Sequence, residues 1–345
     1  MPRNKKYKKI LIIRFSSLGD IILTTPLLKT LKENFPDSQI DYCTREEYRE
    51  VLSLNPNINK IIAVGEDFDF KRLKLLKDTL KQHKYDLVID AHNNLRTFYL
   101  RQFLRFGSKV LKFKKYSFRK FMLVKFKIDL MKDLPPISER YINIVSRIIN
   151  NRPTKHLPEI YTDQNAKQKI DNLLKELGIS NKIIAIAPAS KHFTKTYPAG
   201  LYSELINNLG KDYSIILVGK GNDIMAVQRI MENAGSNVFN LCSKLSVTEL
   251  AELFKRCVLF ISGDTGPMHI AEVANIPIIM LAGSSVKEFG FYPQSEKAMV
   301  LENNNLNCRP CSHIGRSSCP KKHFKCMVDL KPADILKVVQ IELLN

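Results

Sequence analysis

Short apolar runs alternating with amphipathic stretches leave few folds open to this chain. Residues 10–15, 39–44, 60–64, 86–91 and 109–113 have the length and β-branched content of buried strands. Residues 21–34 carry helical spacing and stop before Pro36, and residues 70–83 read as a second helix. A second series opens after the proline-containing stretch 151–158. Its predicted strands are 183–187, 214–218, 258–262 and 276–281, and its predicted helices are 198–209, 222–234, 247–256 and 268–275. Strand–helix alternation of this kind builds a parallel sheet covered on both faces. The expectation is an α/β protein with two doubly wound units. The first covers residues 1–160 and the second 161–330, with the boundary inside 151–180. A last helix in 331–345 is expected to pack back on the first unit.

Composition supports two real cores, since 44% of the 345 residues are hydrophobic. No apolar run reaches the roughly 18–20 residues that cross a bilayer. The short basic N-terminus leads into a strand and a turn, not a cleavage site, so a cytoplasmic location is expected. Lys and Arg total 54 against 34 for Asp and Glu, a net charge of +20. From Arg96 to Lys132 there are twelve basic residues and a single acid, Asp129, with Phe98, Phe103, Phe106, Phe113, Phe118, Phe121 and Phe126 among them. Three readings compete for this segment: a solvated face, a nucleic-acid surface that stacks bases, or a surface for anionic lipid. No helix-turn-helix, zinc-finger or RNP pattern accompanies it, which weighs against nucleic acid. Cys43, Cys242 and Cys257 stand in apolar surroundings and read as packing residues. Cys308, Cys311, Cys319 and Cys326 cluster, but their spacing matches no common zinc module.

In open α/β sheets, ligands bind beyond the carboxyl ends of the strands, so the loops after the strands hold the chemistry. Asp264-Thr265-Gly266-Pro267-Met268-His269 follows the predicted strand 258–262 and opens a helix. Gly263 and Gly266 permit a tight turn, and the free amides and positive end of the helix suit an anion. An ordinary capped helix start explains the same residues with no ligand. Pro188 to Pro198, after strand 183–187, combines Ser190, Lys191 and Lys195 with small residues, and suits phosphates. Gly219-Lys220-Gly221-Asn222-Asp223, after strand 214–218, suits a ribose or sugar but forms no Walker or dinucleotide fingerprint. On the first unit, Arg14-Phe15-Ser16-Ser17-Leu18-Gly19-Asp20 ends in a first-turn acid. Asp20 either complements the helix dipole or serves as a general base. His92-Asn93-Asn94-Leu95-Arg96 offers hydrogen bonds to a polar acceptor, or caps the next helix.

Taken together, Ile10 to Asp20, Lys195-Thr196-Tyr197-Pro198, Asp264 to His269 and the cysteine-rich stretch Cys308 to Met327 resemble glycosyltransferase family nine, the ADP-heptose:lipopolysaccharide heptosyltransferases. The resemblance covers nearly the whole chain. It implies a GT-B fold of two facing Rossmann-like domains, with acceptor on the first and nucleotide-sugar on the second. It further implies inverting transfer to an inner-core sugar (Kdo or heptose) without a cofactor or metal. By this resemblance Asp20 is the catalytic base. Ser190, Lys191, Lys195, Asn222, Asp223, Leu245, Asp264, Thr265, Gly266, Pro267 and His269 match donor-binding positions. Arg14, Ser17, His92, Asn93 and Arg96 are the acceptor-side candidates. The usual Lys-Arg-Trp-Pro is here Lys195-Thr196-Tyr197-Pro198, and the chain contains no tryptophan. A lipid-A-linked acceptor would give the basic Phe-rich segment a purpose on the inner face of the inner membrane. Competing expectations are a same-fold enzyme of O-antigen or capsule synthesis, a sugar-nucleotide epimerase, and a non-catalytic polyanion- or membrane-binding protein.

Overall fold

The computed structural model describes residues 7–65, 68–149, 153–220, 224–235 and 237–344. Contacts divide the chain into two compact units. The first comprises Met1–Tyr116 and Ile137–Tyr161, and the second comprises Ser117–Pro136 and Thr162–Asn345.

The first unit holds a five-stranded sheet of β1 (Lys9–Ile13), β2 (Gln39–Arg45), β3 (Lys60–Val64), β4 (Leu87–Asp90) and β5 (Lys109–Lys112). The spatial order is β3-β2-β1-β4-β5, and every neighbouring pair is parallel. The chain therefore winds outward from β1 to β3, then returns and winds the other way from β4. A crevice opens where the winding reverses, between β1 and β4.

The helix Leu18–Asn34 packs between the sheet and a second layer, so its buried residues run around most of its circumference. Its outer side is covered by the helix Ile137–Ile142. Pro26 lies inside it and has no N–H for the carbonyl of Ile22. The Thr25 hydroxyl donates to that carbonyl instead, at 2.8 Å, and accepts from the Glu159 amide at 2.8 Å.

The second unit holds six parallel strands: β6 (Lys182–Ala187), β7 (Tyr213–Leu217), β8 (Val238–Asn240), β9 (Cys257–Ser262), β10 (Ile278–Ala282) and β11 (Ala298–Glu302). Their order is β11-β10-β9-β6-β7-β8, so the reversal lies between β6 and β9.

Strands β8 and β11 and the helices Leu95–Leu104 and Gln164–Glu176 add to the expected elements. The two strands are sheet edges or near-edges, and β11 is only half buried. They lack the continuous apolar run that marks a central strand. The helix Gln164–Glu176 is dominated by polar residues and begins at Asp163, whose carboxylate accepts from the Ala166 amide at 2.8 Å.

Two expectations about the domains are corrected. The C-terminal helix Pro332–Leu344 packs on the second unit. Ile335 and Val339 are buried in one core with Tyr202, Leu205 and Met327. Residues 117–136, expected within the first domain, belong to the second unit because Leu123 and Met131 bury against Phe289. The excursion brings the basic helix Ser117–Phe126 with it, and Phe118, Phe121 and Phe126 stay more than half exposed.

Candidate active site

In the first unit, the loops after β1 and β4 meet at the reversal point. The Ser16–Ser17 peptide is cis, and Ser17 begins the helix whose first turn carries Asp20. Asp20 Oδ2 lies 2.6 Å from Arg14 Nη2 and accepts from Ser17 Oγ at 2.9 Å and from the Ser17 amide at 3.3 Å. Tyr141 Oη donates to Oδ1 at 3.0 Å. Burial alone would raise the carboxyl, but the Arg14 charge and the hydrogen bonds from Ser17 and Tyr141 outweigh it and hold the group below its ordinary 3.8. Asp20 is therefore an anion at neutral pH, and Oδ1 keeps a lone pair beyond the Tyr141 bond.

Arg14 is only 8% exposed and donates from Nη1 to the Ala91 carbonyl at 2.8 Å. His92, after β4, accepts from the Phe15 amide at Nδ1, 3.2 Å away. That bond places the proton on Nε2. Burial, then the charges of Arg14 and Lys115, push His92 down to about 3, so the ring is a neutral donor.

Asn93 and Arg96 do not join this group. Asn93 spends its amide on the Phe113 carbonyl and its oxygen on Arg101, at 2.9 and 3.1 Å. Arg101 in turn pairs with the buried Asp90 at 2.8 Å, which also accepts from the His92 and Asn93 amides. Arg96 is exposed and lies over the Phe68 ring.

Two residues without a cue in the local sequence also belong. Tyr141 comes from the short helix Ile137–Ile142, which follows no strand. Lys115 follows β5 and is half buried. Burial, then Arg14, lower its pKa, and it has no hydrogen-bond or ion-pair partner among the described residues. The rule about loops after strands covers Lys115, but the residue was hidden in a general excess of lysine.

In the second unit, the loops after β6, β9 and β10 converge. Lys195 Nζ lies 2.6 Å from Asp264 Oδ2, which also accepts from Ser285 Oγ. Burial opposes the Asp264 charge, while Lys195, Ser285 and His269 keep it ionised. Thr265 begins the helix Gly266–Val273, with Pro267 in its first turn. The buried Thr265 hydroxyl has no hydrogen-bond partner among the described residues.

The loop carrying Lys195 is closed on itself. The Ser190 amide donates to Thr196 Oγ1 at 3.1 Å, and that hydroxyl donates to the His192 carbonyl at 3.2 Å. Thr194 is 1% exposed. It accepts from the amides of Ser284 and Arg316 at 3.1 and 2.9 Å. Tyr197 is buried edge-on to Tyr202, and its hydroxyl donates to the Leu330 carbonyl at 2.6 Å. A Cβ on Gly263 would sit 2.3 Å from the Lys195 carbonyl oxygen, so glycine is needed for the approach of β9 to this loop.

His269 is 3% exposed, with Nδ1 3.5 Å from Glu272 on its own helix. Lys191 is exposed. Leu245 is half buried, just before the helix Val247–Phe254. Asn222 and Asp223 lie outside the described residues.

Ser285 lies in the loop after the predicted strand 276–281, but nothing in its local sequence marks it out. Among the described residues no group of three or more His, Cys, Asp or Glu side chains is arranged to hold a metal ion. The four clustered cysteines are free thiols.

Two Rossmann-like units, each with charged loops at its reversal point, define a GT-B-type fold. Residues 72–322 match glycosyltransferase family 9 (heptosyltransferase), and the chain belongs to that family. It is 27% identical over 310 residues to lipopolysaccharide heptosyltransferase 3 of Escherichia coli K12, covering 86% of this chain and 88% of that one. A family 9 glycosyl transferase from Veillonella parvula superposes with a TM-score of 0.82 at 22% identity, covering 99% of this chain and 98% of that one. The ADP-heptose heptosyltransferase II of E. coli gives 0.73 at 21% identity, covering 97% and 98%.

Proposed function

We propose that this protein is an inverting heptosyltransferase that moves heptose from ADP-heptose to an inner-core sugar (Kdo or heptose) of lipopolysaccharide. The observation that carries the proposal is a preorganised charge at the reversal point of each unit. An ionised carboxylate, Asp20, sits at the reversal point of one unit, and a fixed ammonium, Lys195, sits at that of the other. The names of the relatives supply the sugar and the acceptor class.

In this reading the acceptor hydroxyl attacks the anomeric carbon as the bond to the ADP diphosphate breaks. The hydroxyl proton passes to Asp20, and ADP leaves. Asp20 is a weak base because Arg14 and Tyr141 stabilise its anion. That suits a proton transferred late, once the forming C–O bond has made the hydroxyl acidic. Nε2–H of His92 and the Lys115 ammonium face polar or anionic groups of the acceptor.

On the donor side, Lys195, Ser190, Lys191 and the amides at Thr265–Pro267 stabilise the departing diphosphate. His269 lines that helix end, and Leu245 packs near the adenine. Lys195 and the helix dipole supply the positive charge this chemistry needs. The basic helix Ser117–Phe126, with its exposed phenylalanines, docks on the anionic inner leaflet that carries the acceptor. No helix among the described residues is long and apolar enough to cross a membrane, and the attachment proposed here is peripheral.

The test is transfer from ADP-heptose to a Kdo-containing lipid A acceptor, comparing wild type with Asp20→Ala. Transfer lost in the variant while ADP-heptose still binds supports the reaction and the base together. A folded wild type that binds the nucleotide but transfers nothing would assign the enzyme to another sugar or acceptor.

A further inference from the structure

Arg309, in the cysteine-rich stretch, makes no hydrogen bond or ion pair with the donor-binding candidates read from the sequence, yet its guanidinium is almost fully spent. Its side chain is 5% exposed. Nε donates to the Gly283 carbonyl at 2.6 Å and Nη2 to the Ser285 carbonyl at 2.8 Å. Nη1 donates to the Asn303 carbonyl at 2.8 Å, and Nη2 also meets Glu302 Oε2 at 2.7 Å. Tyr292 Oη donates to the same Glu302 oxygen at 2.7 Å.

The Gly283 and Ser285 carbonyls, just past the end of β10, bracket the turn Gly283-Ser284-Ser285. That turn is the meeting point of the second unit's loops. The Ser284 amide and hydroxyl bond Thr194, next to Lys195, at 3.1 and 3.0 Å. Ser285 Oγ donates to Asp264 Oδ2, the oxygen that holds Lys195. A Cβ on Gly283 would lie 2.6 Å from the Thr194 carbonyl oxygen, so the turn has no slack toward that loop.

We infer that Arg309 is a positioning residue for the donor site: by clamping the Gly283–Ser285 turn it aims Ser285 at Asp264 and so fixes the Lys195 ammonium. The inference rests on reading the Lys195–Asp264 pair as the diphosphate site. A rigid planar fork can hold two carbonyls and a carboxylate at once, whereas a lysine at the same position offers a single ammonium. The neighbouring carbonyls of Cys308 and Pro310 are tied in turn by Lys127 Nζ, at 3.3 and 2.7 Å, which anchors the segment on either side of Arg309.

The experiment compares wild type, Ser285→Ala, Arg309→Lys and the double variant, with thermal melts to establish folding. Acetylation of Lys195 by limiting acetic anhydride is measured by mass spectrometry relative to exposed Lys337, and ADP affinity is measured by calorimetry. Each single variant should raise Lys195 labelling and weaken ADP by about tenfold, as loss of one charged-group hydrogen bond would. The double variant should be no worse than Arg309→Lys, because both act through one contact.

Labelling within twofold of wild type in the folded variants, or losses that multiply in the double, would overturn the assignment. Should Arg309→Lys not fold, unchanged labelling in Ser285→Ala does the same. If labelling responds while even the wild type fails to bind ADP, the positioning role stands and the donor reading falls.

Discussion

Replacing Gly263 by alanine tests the central geometry of the second unit with one methyl group. The new Cβ would lie 2.3 Å from the Lys195 carbonyl oxygen, against a floor near 3.0 Å for real contacts. The obstacle is backbone, so no rotamer change relieves it, and β9 must separate from the Lys195 loop by at least about 0.7 Å. The loop cannot drift freely, since Thr194 is pinned by Ser284 and Arg316. Overpacking of this kind costs about 1–3 kcal/mol. For a unit of this size each kcal/mol is worth about 2–4 °C in melting temperature. The same displacement acts on the 2.6 Å Lys195–Asp264 contact, and losing a charged-group hydrogen bond costs about 1.5–3 kcal/mol, which is tenfold or more in affinity. Calorimetric melting and ADP titration of Gly263→Ala should therefore show a Tm lower by several degrees and ADP affinity reduced at least tenfold. Gly200→Ala, where a Cβ meets nothing within 4 Å, is the matched control and should not lower either quantity. A Gly263→Ala protein with wild-type Tm and wild-type ADP affinity would refute the close approach of these loops.

The pH behaviour follows from the first unit. The folded pKa of Asp20 lies below the unfolded 3.8, so its stabilisation is complete above that value and is lost as pH falls through the folded one. Thermal melts of wild type and Asp20→Asn should converge only in that acid range, and convergence already at pH 6 would contradict the Arg14 and Tyr141 interactions. Because burial, then the Arg14 charge, push His92 down to about 3, this residue should contribute no acid limb near 6.5 to the kcat/KM profile. A limb there that disappears in His92→Gln would show that the imidazole is charged in the working enzyme. On the basic helix and its flanks, the triple change Lys114→Gln, Lys125→Gln, Lys132→Gln removes three exposed charges. At about 1 kcal/mol each, it should weaken sedimentation with phosphatidylserine-rich vesicles by about 100-fold and leave ADP affinity unchanged. Equal binding of wild type and variant to those vesicles would argue against lipid docking.

The sequence by itself determined the two series of parallel strands, because central strands buried on both faces must be continuously apolar. It also pointed to Asp20, Lys195 and Asp264, because chemistry in such sheets concentrates directly after the strands. Which of those residues touch was decided only by tertiary structure. The strand order places β1 beside β4 and β6 beside β9, and so brings Arg14 near His92 and Lys195 onto Asp264. Tyr141, Ser285 and Arg309 reach their partners across 121, 21 and 26 residues, separations over which no local periodicity carries information. The fate of residues 117–136 and of the last helix was likewise decided by packing. Leu123, Met131, Ile335 and Val339 are apolar enough for either unit, and only the shape of the surface they fill assigns them to the second.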